Sequence, residues 1–163
     1  MKGIDMIDGS DKSGTESFRF DTGKLDWKPF VTEGCFYRIL DVNVPARTAD
    51  MLVKFEPGAR CLHHRHVAKT MSLVLEGELH VIEKTAEGEK HSVKYAGTFS
   101  SGATDEVHVE GGGDGGVVVY FSMRGDTDHI YDFVDENGTV KRAISIQDFH
   151  RDWQDWELRS PRL

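Results

Sequence analysis

The amino-acid sequence predicts an all-β fold, a sandwich or barrel of short strands with one helix at its C-terminal end. Three observations predict it: short apolar runs of strand length recur along the chain, turn-forming residues separate them, and helical periodicity is clear only near the end. Short strands at close spacing are typical of sandwiches and barrels. The nine candidate strands cover residues 36–42, 51–56, 71–75, 78–84, 91–95, 107–110, 117–123, 130–134 and 139–143.

Turn signals separate these runs. The clearest lies in 135–138, where Asn137-Gly138 stands between two apolar runs and predicts a hairpin. Pro57-Gly58, Glu76-Gly77 and residues 86–88 are further predicted turns. The glycine-rich stretch 111–116 is also interpreted as a turn, because it has neither the lysine nor the following helix of a phosphate-binding loop.

One helix is predicted after Ser145, which can cap its N-terminus. Ile146, Phe149, Trp153 and Trp156 recur at helical spacing and form one apolar face. Packing explains the two tryptophans better than a functional role. The helix is expected to cover an open end of the barrel or a subunit interface.

Length and composition indicate one domain. The chain has 163 residues, of which 1–17 are polar and are interpreted as a flexible N-terminal arm, and 18–163 as a single folded domain. Cys35 and Cys61 are too few for a disulfide framework, so a reduced, intracellular protein is expected.

Charge and hydropathy exclude several classes of partner. The net charge is −8 and no run of Lys and Arg reaches four residues, which disfavours nucleic-acid binding. No apolar stretch approaches the roughly 20 residues of a membrane span, and no apolar signal region follows the N-terminus. We therefore expect a cytoplasmic protein.

The chemistry is concentrated in two segments. His64 and His66 are two residues apart in a strand-like segment, so both imidazoles point to one face, where they could bind one metal ion. His63 would face away. Alone, an H-x-H pair is weak evidence for a metal, but His108 supplies a third imidazole.

These histidines lie in a pattern that resembles the cupin family. The first cupin motif, G-x5-H-x-H-x3-E-x6-G, is matched at Gly58, His64, His66 and Gly77. The second, G-x5-P-x-G-x2-H-x3-N, is matched in spacing at Gly97 and His108. The resemblance implies a double-stranded β-helix, or jelly roll, holding one divalent metal ion on the three histidines.

A wider resemblance covers residues 25–29, 34–40, 52–58 and 119–138. These segments are similar to a cupin subgroup that includes acetylacetone-cleaving and dihydroxyacetophenone-cleaving dioxygenases and the zinc-binding cupin domain of a bacterial anti-sigma factor. It implies iron(II) as the favoured metal, with zinc or nickel as alternatives.

The glutamate of the first motif is absent, because Thr70 stands at its position. Glu76 is six residues further on, roughly 20 Å along an extended strand at about 3.3 Å per residue, and cannot replace it. We therefore expect a three-histidine site with no carboxylate, full double charge and open positions for an anionic ligand. Thr70 is expected to hydrogen-bond a metal-bound water.

The resemblance implies an Fe(II)-dependent dioxygenase that cleaves a carbon–carbon bond in a small β-diketone or hydroxyketone. An anionic or enolisable substrate would bind the metal beside dioxygen. In the related dioxygenases a glutamate often stands where this chain has Gly102, so a different substrate is expected. Two rival functions are zinc-assisted hydrolysis and a non-catalytic, ligand-sensing zinc cupin. The individual catalytic residues are not identified.

Other residues give weaker expectations. Glu106 is either a carboxylate beside His108 or a solvated residue at a strand end. Arg60 could meet an anion or lie on the surface, and His80 could support a metal ligand. Phe121 and Met123 could line the cavity or serve as core. His91, His129 and His150 have no partner pattern in the sequence.

A homo-oligomer, most simply a homodimer, is also expected. Its basis is the apolar strand edges of a jelly roll together with the N-terminal arm and the tryptophan-bearing helix.

Overall fold

The computed structural model describes residues 21–102 and 104–159, so the predicted arm at 1–17 lies outside the described residues. The described part is an antiparallel β structure with one C-terminal α-helix, as the sequence predicts. Its elements, after a short 3₁₀ turn at Thr22–Lys24, are β1 (Lys28–Pro29), β2 (Cys35–Asn43), β3 (Thr48–Phe55), β4 (His64–His66), β5 (Lys69–Thr85), β6 (Gly88–Tyr95), β7 (Phe99–Ser101), β8 (Val107–Arg124), β9 (His129–Val134), β10 (Val140–Ser145) and α1 (Ile146–Arg159).

The strands pair in the order β1-β2-β3-β8-β4-β9-β10, while β5 pairs with β6, β7 and β8. Two long strands connect the halves of this curled sheet: β5 runs antiparallel to β8 from Lys69↔Arg124 to Glu83↔His108. The inner face carries the core, which includes Val53, Phe55 and Val119. The result is the all-β jelly roll that the cupin resemblance implies, with β4 lying between β8 and β9.

Two predicted turns are wrong, because β5 and β8 continue through them. Glu76-Gly77 is an irregularity within β5, and residues 111–116 are part of β8. Glycine is required here by close backbone approach. A Cβ on Gly112 would lie 2.8 Å from the Glu56 carbonyl oxygen, and one on Gly77 would lie 2.1 Å from that of Gly116. The glycines therefore let two long strands bend past neighbouring backbone.

The hairpin and helix signals are confirmed. β9 and β10 are joined through Asn137-Gly138, and Gly138 has the positive φ that such turns favour. At the helix N-terminus, the Ser145 hydroxyl accepts from the Asp148 amide at 3.3 Å, and the Asp148 carboxylate accepts from the Ser145 amide at 2.8 Å. Trp156 is buried against the sheet.

The N-terminal part of the described chain packs against α1. Trp156 Nε1 donates to the Asp26 carboxylate at 3.2 Å, and Lys28 and Tyr37 both contact the Asp152 carboxylate. Within the described part, no helix combines the length and hydropathy needed to cross a bilayer. Cys35 and Cys61 are both buried and unpaired.

Alanine substitutions at two nearby glycines should differ in their effect on the stability of the fold. Gly112→Ala places a methyl group against the Glu56 carbonyl and should lower the free energy of unfolding by about 1–3 kcal/mol. Gly115→Ala meets no atom within 4 Å and should change it by no more than about 0.5–1 kcal/mol. Urea denaturation of both variants measures the difference. Equal stabilities would contradict the close-approach explanation.

Candidate metal centre

The H-x-H segment forms a three-residue strand whose two histidines share a face. β4 pairs with β8 through His64↔His108 and with β9 through His66↔Tyr131. This register brings the three imidazoles together, with ring centroids 4.3 Å apart for His64 and His108, 5.1 Å for His64 and His66, and 5.2 Å for His66 and His108. The sequence-predicted histidines therefore form one cluster inside the barrel.

The residue between the two histidines fixes the strand from its other side. Arg65 points away from the cluster and donates through Nε to the Asp132 carboxylate at 3.0 Å. Asp132 is fully buried and also accepts from His129 Nε2 at 2.6 Å. His129, which has no partner pattern in the sequence, shares this carboxylate within β9, while the Arg65–Asp132 ion pair ties β4 to β9. Such charged hydrogen bonds restrict the strand more than neutral ones would.

A buried carboxylate completes the cluster, contrary to the expectation of a site without one. Glu110 follows His108 by two residues on β8 and shares its face. Its carboxylate lies 3.6 Å from His64 Nε2 and 3.8 Å from His108 Nε2. One ligand atom from each of His64, His66, His108 and Glu110 lies within 4.8 Å of the other three. The donor set is therefore three imidazoles and one carboxylate.

The sequence contained a signal for Glu110 that the turn interpretation hid. Side chains two residues apart in a strand share a face. Glu106 precedes His108 by two residues and Glu110 follows it by two, so alternation predicts that both carboxylates share the face of His108. With a turn at 111–116, Glu110 is the last residue of a predicted strand, and a carboxylate at a strand end is ordinarily expected to be solvated. In the structure, β8 starts at Val107, so Glu106 precedes it and is exposed.

Each imidazole is oriented by a hydrogen bond to its Nδ1 atom. The Nδ1 of His64 lies 3.0 Å from the Leu62 carbonyl oxygen, and that of His108 lies 3.0 Å from the Glu106 carbonyl oxygen. The Nδ1 of His66 lies 2.9 Å from the Thr70 hydroxyl. In each case an N–H at Nδ1 donates and Nε2 faces the cluster, as in histidines that bind metals.

Thr70 has a defined role here, although it is not a ligand. Its hydroxyl donates to the Ala68 carbonyl at 3.1 Å, which leaves the oxygen lone pairs free to accept from His66. The side chain is buried. The position that carries glutamate in the first cupin motif therefore orients a ligand instead of supplying one, and the carboxylate comes from Glu110 on β8.

The electrostatics of the cluster favour a cation at its centre. Burial lowers the pKa of His66 to about 3 and lowers that of His108, so both are neutral. Burial alone would raise the pKa of Glu110, but the contact of its carboxylate with His64 lowers it to about 2. Burial opposes protonation of His64, yet Cys61 and Glu110 raise its pKa well above the ordinary value. A divalent ion would replace the His64 proton as the counter-charge of Glu110.

The donor set fits a divalent metal ion. Neutral imidazole nitrogens and a carboxylate oxygen suit iron(II), zinc and related first-row ions. The free Nε2 atoms and the Glu110 oxygens converge, and every opposite imidazole nitrogen is already hydrogen-bonded. The centre therefore has both the ligands and the supporting contacts that a metal site needs.

Other predicted residues lie around the centre or away from it. Phe121 and Met123 line a small apolar space beside the imidazoles, of about 40 Å³. Glu106 lines a second opening of about 60 Å³, next to His66, His108 and Gly102, and Phe121 lines both spaces. Thr70 lines the same opening.

Arg60 and His80 are not brought into the cluster. Arg60 is exposed and its backbone bridges to Gly111. His80 lies on the outer face of β5, where its Nδ1 is 3.0 Å from His91 Nε2 and its Nε2 is 3.6 Å from the Glu78 carboxylate. The Glu76 carboxylate is exposed and accepts a hydrogen bond from the Thr22 hydroxyl at 2.6 Å. It therefore lies away from the histidine cluster, as its position in the sequence predicts.

Sequence reasoning also missed Cys61, which contacts both His64 and Glu110. Its Sγ accepts from the Glu110 amide at 3.2 Å and lies 3.5 Å from His64 Nδ1. The Cys61 amide in turn donates to the Glu110 carbonyl at 2.9 Å. Cys61 therefore anchors the backbone that presents the carboxylate.

Glu110 and Glu106 offer a matched pair for testing the donor set. Glu110→Gln keeps the shape of the side chain but removes its charge, and we expect metal affinity to fall at least about tenfold. Glu106→Gln makes the same change two residues before His108, on an exposed side chain, and should leave affinity unchanged. Competition with a chromophoric chelator measures both. Equal losses, or none, would remove Glu110 from the ligand set.

Thr70 provides a separate test of the orienting hydrogen bonds. Thr70→Val removes the hydroxyl with little change in shape, and we expect about 10–100-fold weaker metal binding because His66 loses its Nδ1 partner. Thr70→Ser should restore most of the affinity. Ser72→Ala, which changes a hydroxyl lining the same opening, is the control. Unchanged affinity in Thr70→Val would show that the hydrogen bond does not position His66.

Comparison with solved structures places this fold among the cupins. An acetylacetone dioxygenase from Acinetobacter johnsonii is similar with a TM-score of 0.69 and 16% identity, covering 93% of this chain and 99% of its own. A presumed acetylacetone dioxygenase from Methylibium petroleiphilum PM1 has a TM-score of 0.66 and 19% sequence identity, and the match covers 87% of this chain and 97% of that one. An RmlC-like cupin from Ralstonia eutropha JMP134 has a TM-score of 0.68 and 11% sequence identity, and the match covers 89% of each chain.

The family itself is shown by the sequence match. No curated protein matches the chain. The ChrR Cupin-like domain family, in contrast, matches residues 15–127, more than half of the chain and all four residues of the candidate metal centre. The chain therefore belongs to the ChrR Cupin-like domain family.

Proposed function

We propose that this protein is a metal-dependent dioxygenase that cleaves a carbon–carbon bond in a small β-diketone or hydroxyketone. One iron(II) ion would be held by His64, His66, His108 and Glu110. The observation that carries the proposal is the convergence of these four donors within 4.8 Å of one another inside the barrel. Its fold is shared with the acetylacetone dioxygenase from A. johnsonii.

The charge of the donor set supports an enolisable substrate. Three neutral imidazoles and one carboxylate reduce the charge of a divalent ion to a net single positive charge. A β-diketone or hydroxyketone that loses one proton carries one negative charge, so its enolate would neutralise the centre. Burial of His64 and Glu110 would strengthen this attraction, because charges interact more strongly away from water.

The two sides of the cluster would give the substrate an orientation. On one side, Phe121 and Met123 offer an apolar surface suited to an alkyl or aryl group, and that surface keeps water from the imidazoles. On the other side, the opening is lined by Ser72, Ser100 and Gly102, and it provides access from solvent. Gly102 adds no side chain there, so the opening lacks the carboxylate expected at that position in the related dioxygenases.

The protein residues around the centre would hold the ligands and not react themselves. Thr70 and the carbonyls of Leu62 and Glu106 fix the three imidazole orientations, while Cys61 holds the backbone of Glu110. When bound, iron(II) would supply the electron transfer between substrate and dioxygen that the side chains cannot. Both oxygen atoms would end in the two carbonyl-containing cleavage products.

A zinc-binding, non-catalytic cupin is the second candidate, and Glu110 is the observation that favours it. Four protein donors can complete the tetrahedral coordination of zinc and leave no open position, as in structural zinc sites. Zinc-assisted hydrolysis is disfavoured, because it needs a coordination position for water that four protein donors would not leave open. An octahedral iron(II) ion would keep about two positions open with the same four donors.

Oxygen uptake separates the two candidates. The iron-loaded protein, given a panel of β-diketones and hydroxyketones, should consume about one O₂ per substrate molecule cleaved. Protein loaded with zinc should consume none, because zinc is redox-inert. The panel is needed because Gly102 predicts a substrate other than the best-known diketones. An oxygen electrode and product analysis measure turnover. Full iron occupancy with no uptake across the panel would contradict the dioxygenase proposal and favour the zinc-binding role.

A further inference from the structure

A cavity in the described part of the chain lies away from the metal centre, beneath α1. It has a volume of about 470 Å³, compared with about 40 Å³ for the apolar space beside the imidazoles. This volume falls within the range of small-molecule sites in proteins. The cavity is bounded by β2, β9 and β10 on one side and by α1 on the other.

Aromatic side chains separate this cavity from the histidines. Phe30, Tyr131 and Phe133 line both the large cavity and the small apolar space. The ring centroid of Tyr131 is 6.3 Å from that of His66 and 5.2 Å from that of Phe133. The side chains that line both spaces therefore stand between the large cavity and the imidazoles.

One part of the cavity wall is apolar. Besides the aromatic partition, Ile39, Met51 and Ile144 are buried core residues that face it. Phe149 closes it from the helix, and its ring centroid lies 6.0 Å from that of Tyr131. These walls suit a hydrocarbon chain or an aryl group.

Charged residues stand at the rim, and most of them are already paired. Asp148 accepts from Ser145 and contacts Arg151, and Asp152 contacts Lys28 and Tyr37. Within residues 21–102 and 104–159, no ion pair or hydrogen bond is formed by the Arg142 side chain, which lines the cavity. Among the described residues, the Arg142 guanidinium therefore has no ion-pair partner, and it stands exposed at the rim of the chamber.

The position of this guanidinium is consistent with its effect on the cavity tyrosines. Burial raises the pKa of Tyr131, and the positive charge of Arg142 opposes that rise. Arg142 acts in the same direction on Tyr37. The Arg142 charge therefore lies near the phenol groups at the edge of the chamber, together with the Asp148 and Asp152 carboxylates, whose charges act on Tyr131 in the opposite direction.

We propose that this cavity is a second ligand site, which binds a small amphipathic carboxylate. The carboxylate pairs with Arg142, and the apolar part packs against the walls formed by Phe30, Ile39 and Phe149. An Arg–carboxylate contact is a strong, charge-assisted interaction, and it is stronger at the edge of an apolar cavity than in open water. The site is distinct from the metal centre and does not require the proposed oxygenase activity.

A cationic ligand is the main alternative, because Asp155 also stands at the rim. Asp155 is exposed on α1, and no described residue pairs with it. We favour the anion because Arg142 shares a face of β10 with the buried Ile144, which lines the cavity, whereas Asp155 extends from the exposed part of α1. The two alternatives predict opposite responses to the removal of Arg142.

Calorimetric titration of the full, metal-free chain with octanoate tests the proposal. We expect one molecule to bind per chain with a Kd below about 1 mM. Arg142→Met should weaken this binding about tenfold. Lys141→Met removes the same charge from the neighbouring residue, which pairs with Asp135, and should have no effect. Octanol, which has the chain but not the charge, should bind more weakly and be insensitive to Arg142→Met.

A cavity-filling variant locates the ligand. Val31→Trp places a bulky side chain into the chamber from the segment between β1 and β2, and should abolish octanoate binding. Thermal unfolding verifies that each variant is folded, and a misfolded Val31→Trp is replaced by Ile144→Phe, which narrows the same chamber.

Three results would overturn the proposal: no octanoate binding to the wild type, equal binding to the wild type and Arg142→Met, or unchanged binding to the folded cavity-filling variant. Octylammonium binding that is stronger than octanoate binding and improves in Arg142→Met would assign the site to a cation.

Discussion

The pairing of His64 with His108 across β4 and β8 is the constraint on which the rest of the site depends. Directly opposed residues in an antiparallel pair have Cβ atoms about 4.5–5.5 Å apart, which is a distance at which two imidazoles can share one ion. β4 has only three residues, so this register relies on neighbouring strands. The ion pair between Arg65 and the buried Asp132 secures β4 from its other face.

The same register explains why the carboxylate comes from β8 in this chain. With His108 opposite His64, the next residue on that face is Glu110, and its carboxylate reaches between the imidazoles. Thr70 then has no need to be a ligand, and its hydroxyl orients His66. The charge of the donor set is therefore the same as in a motif with glutamate at position 70, although the carboxylate enters from a different strand.

Much of the fold and the histidine cluster could be predicted from the sequence, for physical reasons. Alternation of side chains placed His64 and His66 on one face, the Asn137-Gly138 pair marked a hairpin, and Ser145 marked the start of α1. Each of these depends on local chemistry within a few residues. The pairing of β4 with β8, in contrast, required the two cupin motifs, because it joins residues far apart in the chain.

The remaining part could not be predicted because it depends on contacts between distant segments. Gly112 reads as a turn residue when considered alone, and only the approach of the Glu56 backbone shows that it belongs to a strand. That misreading concealed Glu110 as a ligand. The cavity beneath α1 was equally inaccessible, since Phe30, Tyr131 and Phe149 come from three separate parts of the chain.

Crystallography of the metal-loaded protein at the absorption edge of the added metal tests the central claim most directly. The account predicts one anomalous peak per chain, within bonding distance of the Nε2 atoms of His64, His66 and His108 and of a Glu110 carboxylate oxygen. A peak at any other place, no peak at all, or a peak bound by the three histidines with Glu110 turned away, would contradict it.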